Sequence, residues 1–139
     1  MGIQAVLEAI DLVRAGNPPH IAQDDAQATY ESWCRKADAE IDWSKSVEDV
    51  YNLIRGTNPQ PGAWTTYNGQ QLQIYDCVKI TGDTGTPGEV TAVDENSFTV
   101  SATGGLIDIR RVKPEGERKI SAGEFAGSQR ITIGTILGA

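Results

Sequence analysis

Apolar residues at Ile3, Val6, Leu7, Ile10 and Val13 recur at the three- and four-residue spacing of one helical face, and Gly16 followed by Pro18 and Pro19 stops the pattern. The spacing predicts an amphipathic helix. No Ser, Thr, Asp or Asn precedes its first periodic residue, so the helix is expected to begin in register, in mid-domain. From Asn17 to about Asp38 the periodicity fades into Pro-Pro-His, Gln-Asp-Asp and Thr-Tyr-Glu-Ser, which reads as an extended connector with a short helical turn near Trp33. A structureless stretch of about twenty residues is uncommon inside a compact domain, which places a boundary near Glu40. Residues 1–40 therefore read as a terminal helix and linker, and residues 41–139 as a separate domain. Ile41-Asp42-Trp43 opens that domain as a short extended stretch. Ser46 then offers an N-cap oxygen with Asp49 three residues on; Val47, Val50, Tyr51 and Ile54 form one apolar stripe, and Gly56 ends it.

Beyond Thr57-Asn58-Pro59-Gln60-Pro61-Gly62 the period shortens to two. Ala63 to Tyr67 and Gln71 to Ile80 flank Asn68-Gly69, a strong two-residue hairpin signal. In the second segment Leu72, Ile74 and Val78 share a face and Cys77 falls on the other. Gly88 to Val93, Ser97 to Ala102 and Leu106 to Val112 are further strands, joined by Asp94-Glu95-Asn96 and Thr103-Gly104-Gly105. One helical turn is expected over Ser121 to Phe125, and a final short strand within Arg130 to Leu137. Closely spaced antiparallel strands leave costly open edges, so the expected fold is mainly β with flanking helices, an OB-like open β-barrel preceded by an amphipathic helix and a linker. The paired prolines of the turn at Pro59 and Pro61 are expected to fix how the second helix meets that barrel.

Composition narrows the chemistry. The chain has 139 residues and a formal net charge of −7, which opposes bulk attraction to nucleic acid or to an anionic membrane. The acidity is uneven: residues 1–60 hold ten acids against five bases, residues 61–139 nine against seven. No apolar run approaches the roughly 20 residues of a membrane span, and the two cysteines, Cys34 and Cys77, lack metal-ligand spacing, so neither a membrane partner nor zinc is expected and a reduced cytoplasmic setting fits. The lone histidine, His20, follows two prolines with no nucleophile placed beside it and reads as an exposed spacer. Asp24-Asp25 and Asp94-Glu95 are consecutive and point apart in extended chain, which disqualifies them as acid/base pairs. Gly82-Asp83-Thr84-Gly85 and Gly104-Gly105 lack the spacing of phosphate loops and read as turns. Arg110, Arg111, Lys113, Arg118 and Lys119 form the one basic cluster; it is interrupted by Glu115 and Glu117 and lacks alternating aromatics, so a solvated face competes there with RNA contact. Trp33, Trp43 and Trp64 are expected to anchor packing among linker, second helix and barrel.

Several segments together resemble a known family. Ile41-Asp42-Trp43-Ser44, Leu53-Ile54-Arg55-Gly56 and Asn58-Pro59-Gln60-Pro61-Gly62-Ala63 are similar, in order and spacing, to the opening of the C-terminal domain of folate-dependent formyltransferases. Gln23-Asp24-Asp25 through Ala28-Thr29-Tyr30 resembles the family's interdomain linker, Gly88-Glu89-Val90 a barrel strand, and Ile120-Ser121-Ala122-Gly123-Glu124-Phe125 its closing segment. The resemblance implies a non-catalytic domain that buttresses an N-terminal catalytic domain. The catalytic residues and the 10-formyltetrahydrofolate site belong to that other domain, and no catalytic, cofactor or metal position carries over to this chain. The first helix resembles the last helix of the catalytic domain; alone, its apolar stripe invites self-association. Arg55, Asn58, Pro59, Pro61 and Gly62 become a structural interdomain turn. Methionyl-tRNA formyltransferases, the hydrolase portion of formyltetrahydrofolate dehydrogenases and sugar-nucleotide N-formyltransferases share this domain. The Ala28-Thr29-Tyr30-Glu31 linker and the Ser121-to-Gly127 ending resemble the hydrolase portion, or an uncharacterised bacterial relative, more closely, and the acidity counts against tRNA; a tRNA-binding module using Arg110 to Lys119 is the alternative.

Overall fold

A computed structural model describes residues 2–16, 18–82 and 84–138. Asn17, where the expected connector starts, and Asp83, in the expected Gly82–Gly85 turn, lie outside the described residues. The chain divides into two compact units, Met1–Ser32 and Trp33–Ala139.

In the first unit, helix α1 spans Gly2–Arg14 and buries none of its residues. Its apolar stripe is exposed throughout, from Ile3 at 83% to Ile10 at 43%. A single 3-10 turn follows at Asp25–Gln27, capped by the Asp24 carboxylate, which accepts from the Ala26 N–H and from the Gln27 side chain. Those bonds favour the charged form and hold the Asp24 pKa below the usual carboxylate value, with the Gln27 bond the larger influence. His20 is exposed.

The second unit opens with a 3-10 turn at Lys36–Ala39. The short helical turn expected near Trp33 lies a few residues later, and Trp33 itself, expected as a packing anchor, is 91% exposed. The other two tryptophans do pack: Trp43 is buried and its indole N–H donates to Thr65 Oγ1 at 3.0 Å, while half-buried Trp64 donates to the Lys36 carbonyl at 2.8 Å. Helix α2, Val47–Gly56, begins where the cap predicts. Ser46 Oγ accepts from the Asp49 N–H at 3.1 Å and donates to the Asp49 carboxylate.

Six strands follow: β1 Ala63–Tyr67, β2 Gln70–Ile80, β3 Val90–Val93, β4 Phe98–Ala102, β5 Gly105–Pro114 and the two-residue β6 Ile120–Ser121. They form one antiparallel sheet in the order β1-β2-β5-β4-β3, with β6 beside β5. The Asn68-Gly69 turn joins β1 to β2 with both residues at positive φ. Helix α2 packs against β2, and helix α3, Ala122–Gln129, against β5. Between helices and sheet lie Val50, Ile54, Leu72, Ile74, Phe98, Val100, Ile107, Ile109 and Val112, each at most 1% exposed. Each such aliphatic or aromatic side chain contributes about 1.5–3 kcal/mol when fully buried.

Three features depart from the period-two reading. Register shifts flank Asp76: Tyr75 is an extra residue on β2 between Ile74↔Val112 and Asp76↔Arg111, and Arg110 is an extra residue on β5 between Asp76↔Arg111 and Cys77↔Ile109. The bulge reverses parity: Cys77 turns into the core and Val78 away from it, the opposite of the expected assignment. Burial, then the nearby carboxylates of Asp76 and Asp108, push the Cys77 thiol up to about 12. Secondly, the single turn expected from Ser121 is a two-turn helix, capped by Ser121 Oγ on the Glu124 N–H and ended by Arg130 in the left-handed region. It lies close on the β3–β4 turn, where a Cβ on Gly123 would meet the Glu95 carbonyl oxygen at 2.0 Å.

Finally, Arg130 to Leu137 does not form a strand. Gly134 sits in a turn at φ +89°, and only Ile136 bridges Glu89. The segment is nevertheless tied in. Val90 donates to Thr135 O and Gly134 to Val90 O, both at 2.8 Å; Leu137 donates to Gly88 O and Gly138 to Thr66 O, both at 2.9 Å.

Candidate nucleic-acid interface

Arg110, Arg111 and Lys113 lie on β5, and Arg118 and Lys119 in the turn leading to β6. Strand pleating and the bulge do not aim them alike. Arg110 Nε is held 3.1 Å from Asp108 Oδ2 on its own strand, a partly exposed ion pair of small energetic worth. Arg111 faces Asp76 across the ladder and Lys113 faces Gln73. Arg118 is exposed. Lys119 reaches back over β2, with its Nζ 3.4 Å from the centre of the Tyr75 ring.

The sequence-defined cluster thus gains partners from other elements. Gln71, Gln73 and Tyr75 alternate with the inward Leu72 and Ile74, so they occupy the outer face of β2. Trp64 lies cross-strand from Gln73, and Lys36 places its Nζ 5.8 Å from the Trp64 ring centre. Lys36, Gln71, Gln73 and Lys113 line a shallow polar recess together with Glu115. Two ammonium groups seated on aromatic rings flank a patch of amide and lysine donors. Such a surface can hold phosphate oxygens by charge and offers ring faces at which a base can compete with the cations.

Sequence reasoning missed Tyr75, Lys36, Gln71 and Gln73, and assigned Trp64 to packing alone, because it sought aromatics inside the basic segment itself. The available signal was the period-two parity of Gln71, Gln73 and Tyr75, opposite to the core face.

The turn after α2 meets the same strand. Asn58 Nδ2 donates to the Tyr75 carbonyl at 2.9 Å, Gln73 Nε2 donates to the Pro61 carbonyl at 3.0 Å, and the Gly62 N–H closes onto Thr57 O. Both X-Pro bonds, Asn58-Pro59 and Gln60-Pro61, are cis. Arg55 points elsewhere: its guanidinium lies 5.3 Å from the Tyr51 ring centre, and Lys79 lies 4.9 Å from the same ring while paired with Glu48. That pairing, chiefly the hydrogen bond from Lys79, holds Glu48 below the usual carboxylate pKa. Tyr75 and Gln73 therefore join the basic cluster to the proline turn, two regions the sequence left unconnected.

A second concavity lies beside α2, floored by Val50 and Leu53 and rimmed by Glu40, Asp42, Lys45 and Asp49. The hydrogen bonds from Ser44, its hydroxyl foremost, keep Asp42 below the usual carboxylate pKa, so the rim is anionic at neutral pH. It does not fit a folate, whose glutamate carboxylates it would repel. Among the described residues no group of three or more His, Cys, Asp or Glu is arranged to hold a metal ion, and no helix is long and apolar enough to cross a membrane.

Comparison with known proteins gives a consistent picture. The family model for the formyl transferase C-terminal domain matches residues 34–130. The methionyl-tRNA formyltransferase of Geotalea uraniireducens (strain Rf4) is 38% identical over 138 residues, covering 99% of this chain and 44% of that protein. The methionyl-tRNA formyltransferase of Bacillus velezensis is 32% identical over 139 residues, again 99% of this chain and 44% of that protein. The chain thus spans less than half the length of the curated relatives it matches. Among solved structures, HypX from Aquifex aeolicus in complex with tetrahydrofolic acid superposes with a TM-score of 0.71 at 18% identity, covering 94% of this chain and 23% of that one. At that identity the likeness is one of fold.

Proposed function

The chain belongs to the formyl transferase C-terminal domain family, and from that premise we propose that it is the non-catalytic C-terminal part of a cytoplasmic formyltransferase whose acceptor is a tRNA. The observation that carries the reading is the identity it shares, along almost its whole length, with methionyl-tRNA formyltransferases. That relationship favours a tRNA acceptor over water or an amino sugar, and the outer face of β1, β2 and β5 supplies a surface for it. Lys113 and Lys119 take phosphate contacts there, with Arg111 and Arg118 at the margin. Arg110, already paired with Asp108, contributes least.

In this reading a catalytic domain precedes the barrel, binds 10-formyltetrahydrofolate and carries out the transfer. No step of that chemistry is assigned to residues of this chain. Residues 1–40 supply the end of the catalytic unit and the linker, residues 41–139 the C-terminal domain, and the turn from Arg55 through Asn58, Pro59, Pro61 and Gly62 sets the junction between α2 and the sheet. We assign the sheet to an OB-like open barrel. Support comes from β1 and β3 lying at opposite ends of the strand order while the segment after α3 hydrogen-bonds both edges.

Titration of the chain with initiator tRNA at low and near-physiological salt tests the acceptor reading. Saturable binding is expected, with log K falling by about 0.7–0.9 per decade of salt for each phosphate neutralised. Lys113→Ala and Lys119→Ala should weaken binding and flatten that slope, and Arg110→Ala should change it least. Absence of binding at either salt removes the tRNA role and leaves a supporting domain. Formyl transfer by the chain alone would overturn the non-catalytic assignment.

A further inference from the structure

Eight residues after the family match ends, 131–138, do more than trail from α3. Their backbone bonds run first to α3, where Ile131 donates to Ala126 O at 2.9 Å, then to β3 at Val90 and to Gly88 just before it, and last to Thr66 on β1. Their side chains alternate in fate. Ile131 and Leu137 are 5% and 2% exposed, whereas Ile133 is 68% exposed. The receiving surface is shaped for the backbone: Gly88, at φ +85°, lies so close that a Cβ there would meet the Leu137 carbonyl oxygen at 2.6 Å. Gly138 fits against Trp43 in the same way, where a Cβ would sit 3.2 Å from the indole.

We propose that the cleft between the β1 and β3 edges is a peptide-accepting site whose occupant is this chain's own segment Ile131 to Gly138, bound as a turn with bridging main-chain bonds, and that the site recognises that segment independently of its covalent link. Two features give specificity. Main-chain donors and acceptors on Val90, Gly88 and Thr66 fix the path on either side of the turn at Gly134, and two apolar side chains six residues apart enter the core at either end. Together with Ile41, whose N–H donates to Trp64 O on β1, the same arrangement covers main-chain groups at both terminal strands of the sheet. The inference is independent of the tRNA reading and survives its failure.

The test keeps the protein whole until it has folded. A protease site is inserted after Arg130, the full chain is folded and cut, and the released peptide is separated and returned with a fluorescent label. Saturable rebinding is expected, weakened at least about 30-fold by Leu137→Ala in the peptide, as for loss of a buried leucine. In the uncut chain, the amides of Val90, Leu137 and Gly138 should exchange as slowly as those of β4. Dimers of the uncut chain that excess peptide dissolves would show the same cleft filled by a second copy, which also supports the site. The proposal is overturned by a cut chain that keeps its fold after losing the peptide and does not rebind it. Fast exchange at Val90, Leu137 and Gly138 in the uncut chain overturns it equally.

Discussion

At the scale of single residues, the two cysteines show how strongly environment divides one chemistry. Cys34 is exposed, while Cys77 is turned inward by the β2 bulge and its thiol is pushed up to about 12. At pH 8 a thiol-selective reagent should modify Cys34 within minutes under native conditions and reach Cys77 only on unfolding, as counted by intact mass. The linkage to stability follows from the sign of the shift. The folded pKa lies above the ordinary 9.0, so the stability gained by keeping the thiol neutral is complete below 9.0 and is lost as pH rises towards 12. Urea midpoints measured from pH 7 to 11 should decline over the alkaline part of that range, and the Cys77→Ser chain should lose the decline at this site. No sequence pattern announced the inversion, because strict alternation assigns Cys77 outward; it took one extra residue, Tyr75, to reverse it. The same bulge leaves Tyr75 beside Lys119.

At the scale of elements, capping and turn chemistry were legible and close approaches were not. Ser46 with Asp49, and Asn68-Gly69, act through bonds made within a few residues, so α2 and the β1–β2 hairpin could be read directly. Ser46→Ala is expected to cost about 0.5–2 kcal/mol in chemical denaturation, with Ser46→Thr close to neutral. Helix α3 illustrates the opposite case. Its sequence Ala-Gly-Glu-Phe-Ala-Gly-Ser-Gln carries two glycines that weaken helical propensity, and the helix is held by burial of Ala122, Phe125 and Ala126 rather than by local preference. Gly123 is where that helix approaches the β3–β4 turn. Gly123→Ala should therefore destabilise by about 1–3 kcal/mol or more, despite the better propensity of alanine, whereas Gly127→Ala, with open space at its Cβ, should stabilise. Thermal melts of the two variants shifting in the same direction would refute the packing argument. The segment after α3 is misread from sequence as a strand, since its bonds to the sheet region go to Val90, Gly88 and Thr66, far back along the chain, and its local turn at Gly134 interrupts any ladder.

At the scale of the whole molecule, the acidic total conceals a patch of bases, because residues 1–60 hold ten acids against five bases while residues 61–139 hold nine against seven, with Lys113 and Lys119 on the outer face of the sheet. The bases could be read from the sequence; their aromatic partners on β1 and β2 could not, as they come from strands brought alongside only by folding. Helix α1 presents the complementary case, an apolar stripe legible in the spacing and exposed along its length. At high concentration the isolated chain is expected to self-associate through that stripe, and Val6→Glu should return it to a monomer in light scattering. A monomer at every concentration would rule out self-association. Lastly, the three tryptophans occupy three environments: Trp33 open to solvent, Trp64 half-covered beneath an ammonium group, and Trp43 enclosed and hydrogen-bonded. The chain is thus labelled optically by its own sequence. Emission from Trp43 should shift red when the interior opens and emission from Trp64 should respond to displacement of Lys36, so chains keeping one tryptophan each would follow core and candidate binding face separately without an added dye.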